Sequence, residues 1–365
     1  MRASVFGASA LSVASGAVAG ADARNVPTGA AETAIEAMNK AFYNTTDGRW
    51  DTNAPWWLSG VALQTLLDYM LITSSRDYLE QAQNTVELQK APLEWWPEGD
   101  GYFRADSTDD TAWWGQAMLS LYDLTNSTNY LDIAILDEEY IWSYWINSTC
   151  SGGVIWDIPS LEYKNAISNE QYIKLAASLH NRIPGDERYL QRALQAWEWF
   201  EGSGMINADK LVNDGLAENA SGECRNNNQT TWTYNQGMIL GGLVELSRAT
   251  DDKGYLEAAR EIADAVIASE ELSPDGILTE PCSPGEGCSS DQTSFKGIFA
   301  KNLAELDNAL EGQPYKEYLV QNAESAWKKA RNETNDLYGV SWTGPLGEAT
   351  VGSQISAVNL LLYTM

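Results

Sequence analysis

The dipeptide Tyr-Leu recurs in matching context five times: "RDYLEQAQ" at Tyr78, "TNYLDIAI" at Tyr130, "ERYLQRAL" at Tyr189, "KGYLEAAR" at Tyr255 and "KEYLVQNA" at Tyr318. Each copy opens a stretch with apolar residues three and four apart, as in "YLEAAREIADAVI", the period of an amphipathic helix. Ahead of each lies a second helical stretch, less charged and richer in small residues: "PWWLSGVALQTLLDYML", "TAWWGQAMLSLYDL", "NEQYIKLAASLH", "NQGMILGGLVELSRA" and "SFKGIFAKNLAEL". A sixth such stretch, "SQISAVNLLLYTM", closes the sequence, and "AAETAIEAMNKAFYN" supplies a sixth helix of the charged type. Apolar helices alternating with amphipathic ones predict an all-α fold, an (α/α)6 toroid with six inner and six outer helices. An open solenoid is the competing arrangement. Closure is preferred because the last stretch is of the inner type, without the polar outer face of a terminal cap.

The connections that lead from outer to inner helices are long and rich in glycine and aromatics, for example "WWPEGDGYFRADST" and "DGLAENASGECRNNNQTTWTY". Those in the other direction, such as "TDDKG", are short. All the long loops therefore emerge on one face of the ring, where a functional site is expected.

At one such junction stand Asp109 and Asp110, followed by Trp113 and Trp114. Acidic residues at a helix start are commonly caps. At the centre of a loop face lined with aromatics, two neighbouring carboxylates also meet the two-acid requirement for breaking a glycosidic bond. Their mutual repulsion raises one pKa and separates the two roles. Adjacent residues reach the short carboxyl separation of retaining enzymes, about 5–5.5 Å, more easily than the inverting one. A diphosphate site using magnesium fits less well: the position four after Asp109 is Trp113, and little basic charge is near. No metal and no cofactor are expected. His180 is the only histidine, so His-dependent triads and His-rich metal sites fall away.

Supporting residues are expected at the same face: Lys164, Asn165 and Asn169 before a third inner helix, Tyr234, Asn235 and Gln236 before a fourth, and Asp291, Gln292 and Lys296 before a fifth. Asn, Gln and Lys there can grip sugar hydroxyls, although turns favour such side chains anyway. Trp113, Trp114 and Trp156 are candidate stacking platforms, with at most one of the adjacent pair touching substrate.

The balance of 23 Lys plus Arg against 51 Asp plus Glu gives a net charge of −28, which repels nucleic acid and anionic lipid. A neutral sugar meets no such penalty. Residues 1–22 read as a secretory signal, with one early Arg and then no charge until Asp22; residues 23–365 read as one catalytic domain. Six Asn-x-Ser/Thr sequons, at Asn44, Asn126, Asn147, Asn219, Asn228 and Asn332, and four cysteines fit an oxidising, extracellular compartment. Cys282 and Cys288 flank a small loop, leaving Cys150 and Cys224 as the second expected disulfide, while the spacing matches no common zinc site.

The segments "TDDTAWW", "GGVIWDIP", "YKNAISN", "WTYNQGMILGGLVEL" and "DQTSFKGIFAKNL" together resemble glycoside hydrolase family 76, most closely its fungal secreted and cell-wall members, from about Trp56 to the end. The resemblance implies an (α/α)6 fold and a retaining mechanism on α-1,6-linked mannan, with Asp109 as nucleophile and Asp110 as acid/base. The sugar and its linkage rest on the resemblance alone. Hydrolysis of mannan and transfer of mannose to another wall glycan share one intermediate and stay open, as does a non-catalytic mannan-binding toroid. The last helix ends at Met365 without the polar spacer of a lipid-anchor signal, so a freely secreted monomer without membrane contact is expected.

Overall fold

The computed structural model describes residues 26–219, 222–282 and 287–365; the expected signal at 1–22 lies outside them. Among the described residues twelve α-helices follow in order: α1 (Ala30–Phe42), α2 (Trp56–Thr73), α3 (Leu79–Gln89), α4 (Thr108–Thr125), α5 (Thr128–Trp142), α6 (Ala166–Arg182), α7 (Arg188–Gly202), α8 (Thr233–Thr250), α9 (Gly254–Ala268), α10 (Phe295–Ala309), α11 (Lys316–Lys329) and α12 (Val351–Leu362). The recurring Tyr-Leu motif falls at the start of α3, α5, α7, α9 and α11.

The even-numbered helices form the inner ring. α2 packs on α4, α4 on α6, α6 on α8, α8 on α10, α10 on α12, and α12 returns to α2. That last contact closes the toroid, and α1 covers α12. Inner helices are buried on every side: all residues of α12 are buried, and so is nearly all of α8. Outer helices bury one stripe, as in α9, where Leu256, Ala259, Ile262, Ala263 and Val266 face inward. The difference follows from sequence: an all-round apolar or small surface must be enclosed, whereas a three-four period leaves one face for water.

Small residues set how closely inner helices approach. A Cβ on Gly237 would lie 2.4 Å from the Phe299 Cα, and one on Gly297 would lie 2.3 Å from the Ser356 Cα. These glycines therefore bring α8 to α10 and α10 to α12 at backbone contact, closer than any larger residue permits.

The ring's axis is not empty. Lys174 of α6 donates to Asn302 (2.6 Å) and pairs with Glu305 (2.7 Å) of α10, and Lys301 pairs with Asp68 of α2. These buried charges are matched one to one, which limits their desolvation cost. They link α6 to α10 and α10 to α2 across the ring.

Both expected disulfides are present, Cys150–Cys224 and Cys282–Cys288. Among the sequon asparagines, Asn126, Asn147, Asn219 and Asn228 are exposed and Asn44 and Asn332 partly so. No helix among the described residues is long and apolar enough to cross a membrane.

Candidate active site

Asp109 and Asp110 are the second and third residues of α4. The helix start is tied to the connection that follows α5. The Thr108 N–H donates to the Trp156 carbonyl (3.1 Å), the Thr108 hydroxyl to the Ile155 carbonyl (2.7 Å), and the Ile158 N–H to the Asp106 carbonyl (3.0 Å). From α6, the Gln171 amide donates to the Asp109 carbonyl (3.2 Å). The backbone carrying the two acids is thus held by two separate elements, the connection after α5 and helix α6, the kind of support that keeps a reacting group in place.

The pair opens into a cleft of about 560 Å³ on the loop face. Its floor is aromatic. Trp57 of α2 stacks on Trp113 of α4 (5.1 Å between centroids, 25°), and Phe295 of α10 stacks on Tyr234 of α8 (3.7 Å, 11°). Trp57 also meets Phe295 at 6.5 Å, so rings from four inner helices tile the top of the axis. Trp156, 39% exposed, stands on the wall edge-on to Tyr163 (6.1 Å, 90°).

Asp106, Asp109, Asp110, Asp157, Asp214 and Asp291 line this cleft, and among the described residues no Lys, Arg or His does. Such a site rejects phosphates and carboxylates and accepts neutral polyols. The acids are not equivalent. Trp57 Nε1 donates to Asp291 (2.8 Å). The Tyr163 hydroxyl donates to Asp214, and Asn227 in turn donates to that hydroxyl (2.9 Å). Tyr163 adopts φ 66°, a left-handed backbone that is strained for an aromatic residue.

Asp109 and Asp110 keep partial exposure through the mouth, yet enough protein surrounds them to weaken hydration of their charges. Burial pushes Asp109 up to about 6, and hydrogen bonds from Ser107, first-turn amides and Trp156 hold it from rising further. Asp110 goes well above the usual carboxylate range: burial acts first, then the negative charges of Asp109, Asp106 and Asp291, with only Ser107 opposing. Near neutral pH the arrangement therefore favours an ionised Asp109 beside a protonated Asp110. An ionised carboxylate beside a protonated one is the pairing that glycosidic cleavage requires.

Of the supporting residues expected from sequence, Trp113, Trp156, Asn165, Tyr234, Asp291 and Gln292 line the cleft. Asn165 is also the N-cap of α6, accepting from Ser168. The others do not reach it. Trp114 is fully buried between Trp56 (4.9 Å) and Phe103 (4.6 Å). Asn169 holds both the N–H and the carbonyl of Val154. Gln236 does the same for Val212, and Asn235 beside it is fully buried. Lys296 donates to the Val340 carbonyl (2.6 Å) beneath the Trp342 ring. Lys164 donates to the carbonyls of Ile146, Thr149 and Gly152.

For the helical residues the cause is that successive side chains point about 100° apart, so only one of Tyr234, Asn235 and Gln236 can face the mouth; Lys164, in the connection before α6, is turned instead to carbonyls of the loop at 146–152. Trp57, Asp106, Asp157, Tyr163, Asp214, Trp232 and Phe295 also line the cleft and were not singled out from sequence. For Trp57 a signal existed. Trp56–Trp57 repeats the paired pattern of Trp113–Trp114, with one ring inward and one on the floor. His180, near the far end of α6, is remote from the mouth.

Comparison with known proteins agrees with this geometry. The mannan endo-1,6-alpha-mannosidase DCW1 of Candida albicans is 28% identical over 338 residues, covering 85% of this chain and 72% of the relative. DCW1 of Saccharomyces cerevisiae is 27% identical over 352 residues, covering 88% and 74%. For some relatives the chain spans less, as with 65% of a putative mannan endo-1,6-alpha-mannosidase of Schizosaccharomyces pombe. Among solved structures, the GH76A α-1,6-mannanase of Salegentibacter sp. HEL1_6 superposes with a TM-score of 0.82 at 26% identity, covering 92% of this chain and 98% of that one. An inactive variant of that enzyme, with two consecutive aspartates replaced, is known in complex with α-1,6-mannotriose. Dfg5 from Chaetomium thermophilum, at 20% identity and a TM-score of 0.78, shares the fold. The description glycosyl hydrolase family 76 matches residues 23–365, and the chain belongs to that family.

Proposed function

We propose that this chain is an extracellular retaining glycosidase that cleaves α-1,6-mannosidic bonds inside mannan. The observation that carries the reading is the unequal proton affinity of Asp109 and Asp110 in an aromatic cleft whose charged side chains, among the described residues, are all acidic. Asp109, ionised, attacks the anomeric carbon and forms an ester bond to it. Asp110 gives its proton to the leaving glycosidic oxygen as that bond breaks. The ionised Asp110 then takes a proton from the acceptor, whose oxygen displaces Asp109 and restores both acids. The exposed ring of Trp156 offers an apolar face to the sugar, Trp57 and Trp113 form the buried aromatic floor beneath, and Asp291, Asp214 and Asn165 offer hydrogen-bond partners to its hydroxyls.

The mannan assignment is supported by the fungal relatives and by the Salegentibacter enzyme, whose replaced aspartates are also consecutive. Extracellular placement is supported by two disulfides and by sequon asparagines open to solvent. The test is a product assay on unbranched α-1,6-mannan with Asp109→Asn and Asp110→Asn. Each variant is expected to lose turnover by at least about 100-fold, and unchanged turnover in either removes that residue from the mechanism. A labelled acceptor in the same reaction separates hydrolysis from transfer to a second glycan.

A further inference from the structure

The connection from α3 to α4, which delivers Asp109 to the cleft, carries two exposed aromatic residues outside it. Trp95 is 52% exposed and Tyr102 43% exposed, and neither lines the cleft. Both are held in place. Trp95 sits at the tip of a turn closed by the Trp96 N–H on the Leu93 carbonyl (3.0 Å). Leu93 is buried beneath it, and the Trp96 indole donates to the Tyr140 hydroxyl (2.9 Å). The Trp95 ring stands edge-on to Trp56 (5.9 Å, 77°), which leaves ring surface open to solvent.

Tyr102 is presented by an unusual backbone. Asp100, Gly101, Tyr102 and Phe103 all have positive φ, at 58°, 77°, 54° and 65°. A left-handed turn of this length is disfavoured for residues with a Cβ. It persists because the Tyr102 N–H donates to the Lys90 carbonyl (2.7 Å) and Arg104 donates to the carbonyls of Gly101 (3.1 Å) and Asp100 (3.2 Å). Phe103 uses the turn to stack on buried Trp114. Tyr102 makes no ring contact and its hydroxyl no hydrogen bond among the described residues, so its outward placement serves nothing inside the molecule. Trp95 touches one end of a buried stack, Trp56–Trp114–Phe103, and Tyr102 directly precedes the residue at its other end.

We propose that Trp95 and Tyr102, on the connection that leads to Asp109 but outside the cleft, form a second saccharide-binding platform that holds a remote part of the same mannan chain. This rests on the reading of the substrate as mannan. Rigid amphipathic rings suit stacking on sugars because little side-chain freedom is lost on binding. The surrounding Glu94, Glu98 and Asp100 are exposed. They repel anionic partners and a second copy of this acidic chain, and leave a neutral polyol as the fitting occupant.

The test uses the full chain in native gels containing long unbranched α-1,6-mannan, with mannotriose turnover measured alongside. Wild type is expected to be retarded, and Trp95→Ala and Tyr102→Ala each to lose affinity about fivefold. Trp95→Tyr, which keeps a ring, is expected to recover most of it. The ratio of kcat/KM on long mannan to that on mannotriose is expected to fall in step. Equal retardation of wild type and both alanine variants overturns the platform, as does an equal loss on both substrates or a change in oligomeric state on gel filtration. Ring-dependent retardation without any turnover of mannotriose or mannan would leave the platform standing and remove the catalytic reading. Turnover of both without retardation does the reverse.

Discussion

Replacing Asp109 with asparagine should make the protein more stable at neutral pH while abolishing its chemistry. Burial raises the Asp109 carboxyl from 3.8 to about 6, so between those values the folded state holds a proton that the unfolded chain releases. Stability therefore falls as pH rises through this window, is highest below the unfolded value, and levels off above about 6. At about 1.4 kcal/mol per pH unit, the accumulated cost at pH 7 is about 3 kcal/mol. Asparagine resembles the protonated acid in shape and charge. The Ser107 and amide hydrogen bonds are already contained in the value near 6, so no separate correction is needed. With an unfolding entropy of about 2 cal/mol/K per residue, Asp109→Asn should melt about 4 °C higher at pH 7 and level with wild type at pH 3. Thermal melts of both proteins across pH 3–8 check this. A variant that is less stable at pH 7, or offset equally at every pH, would refute the claim that the cleft holds Asp109 under electrostatic strain.

The same shifts fix the activity profile: kcat/KM on mannan should rise through an acid limb near pH 6 as Asp109 ionises, then fall at higher pH as Asp110 loses its proton. A steady-state pH series reads both limbs. Lys164→Met should destabilise the fold by about 2–4 kcal/mol in denaturant titration, because three carbonyls lose one shared donor. Removing the Cys150–Cys224 bridge, which spans 74 residues, should cost about 4 kcal/mol from loop entropy. Removing Cys282–Cys288, which spans 6, should cost about 2; equal losses in paired Cys→Ser melts would contradict that account. Trp57→Phe frees Asp291 from its indole partner and should raise KM on mannotriose more than it lowers kcat.

The toroid was legible because its signal is repeated: one Tyr-Leu is noise, and five in register at the head of charged helices are an architecture. Asp109 and Asp110 could be placed at the cleft because they open an inner helix on the face where the long, aromatic-rich loops emerge. The rest of the cleft was harder to read for two physical reasons. Near a helix start, residues one position apart differ by about 100° in direction, so composition placed Asn235, Gln236 and Lys296 on the correct turn but not on the correct side. Asp214, Tyr163 and Trp232 come from irregular connections whose path depends on contacts far apart in sequence, such as Tyr163 with Asp214 across 51 residues. No local pattern marks those. Asn165, expected at this face as a partner for sugar hydroxyls, borders the mouth and also caps α6.

The division of labour between the two acids is most directly tested by trapping the glycosyl ester with a slow fluorinated α-mannosyl substrate and mapping the modified peptide by mass spectrometry. The account predicts a single mannosyl adduct on the carboxyl of Asp109. An adduct on Asp110, or on any other side chain, would contradict it.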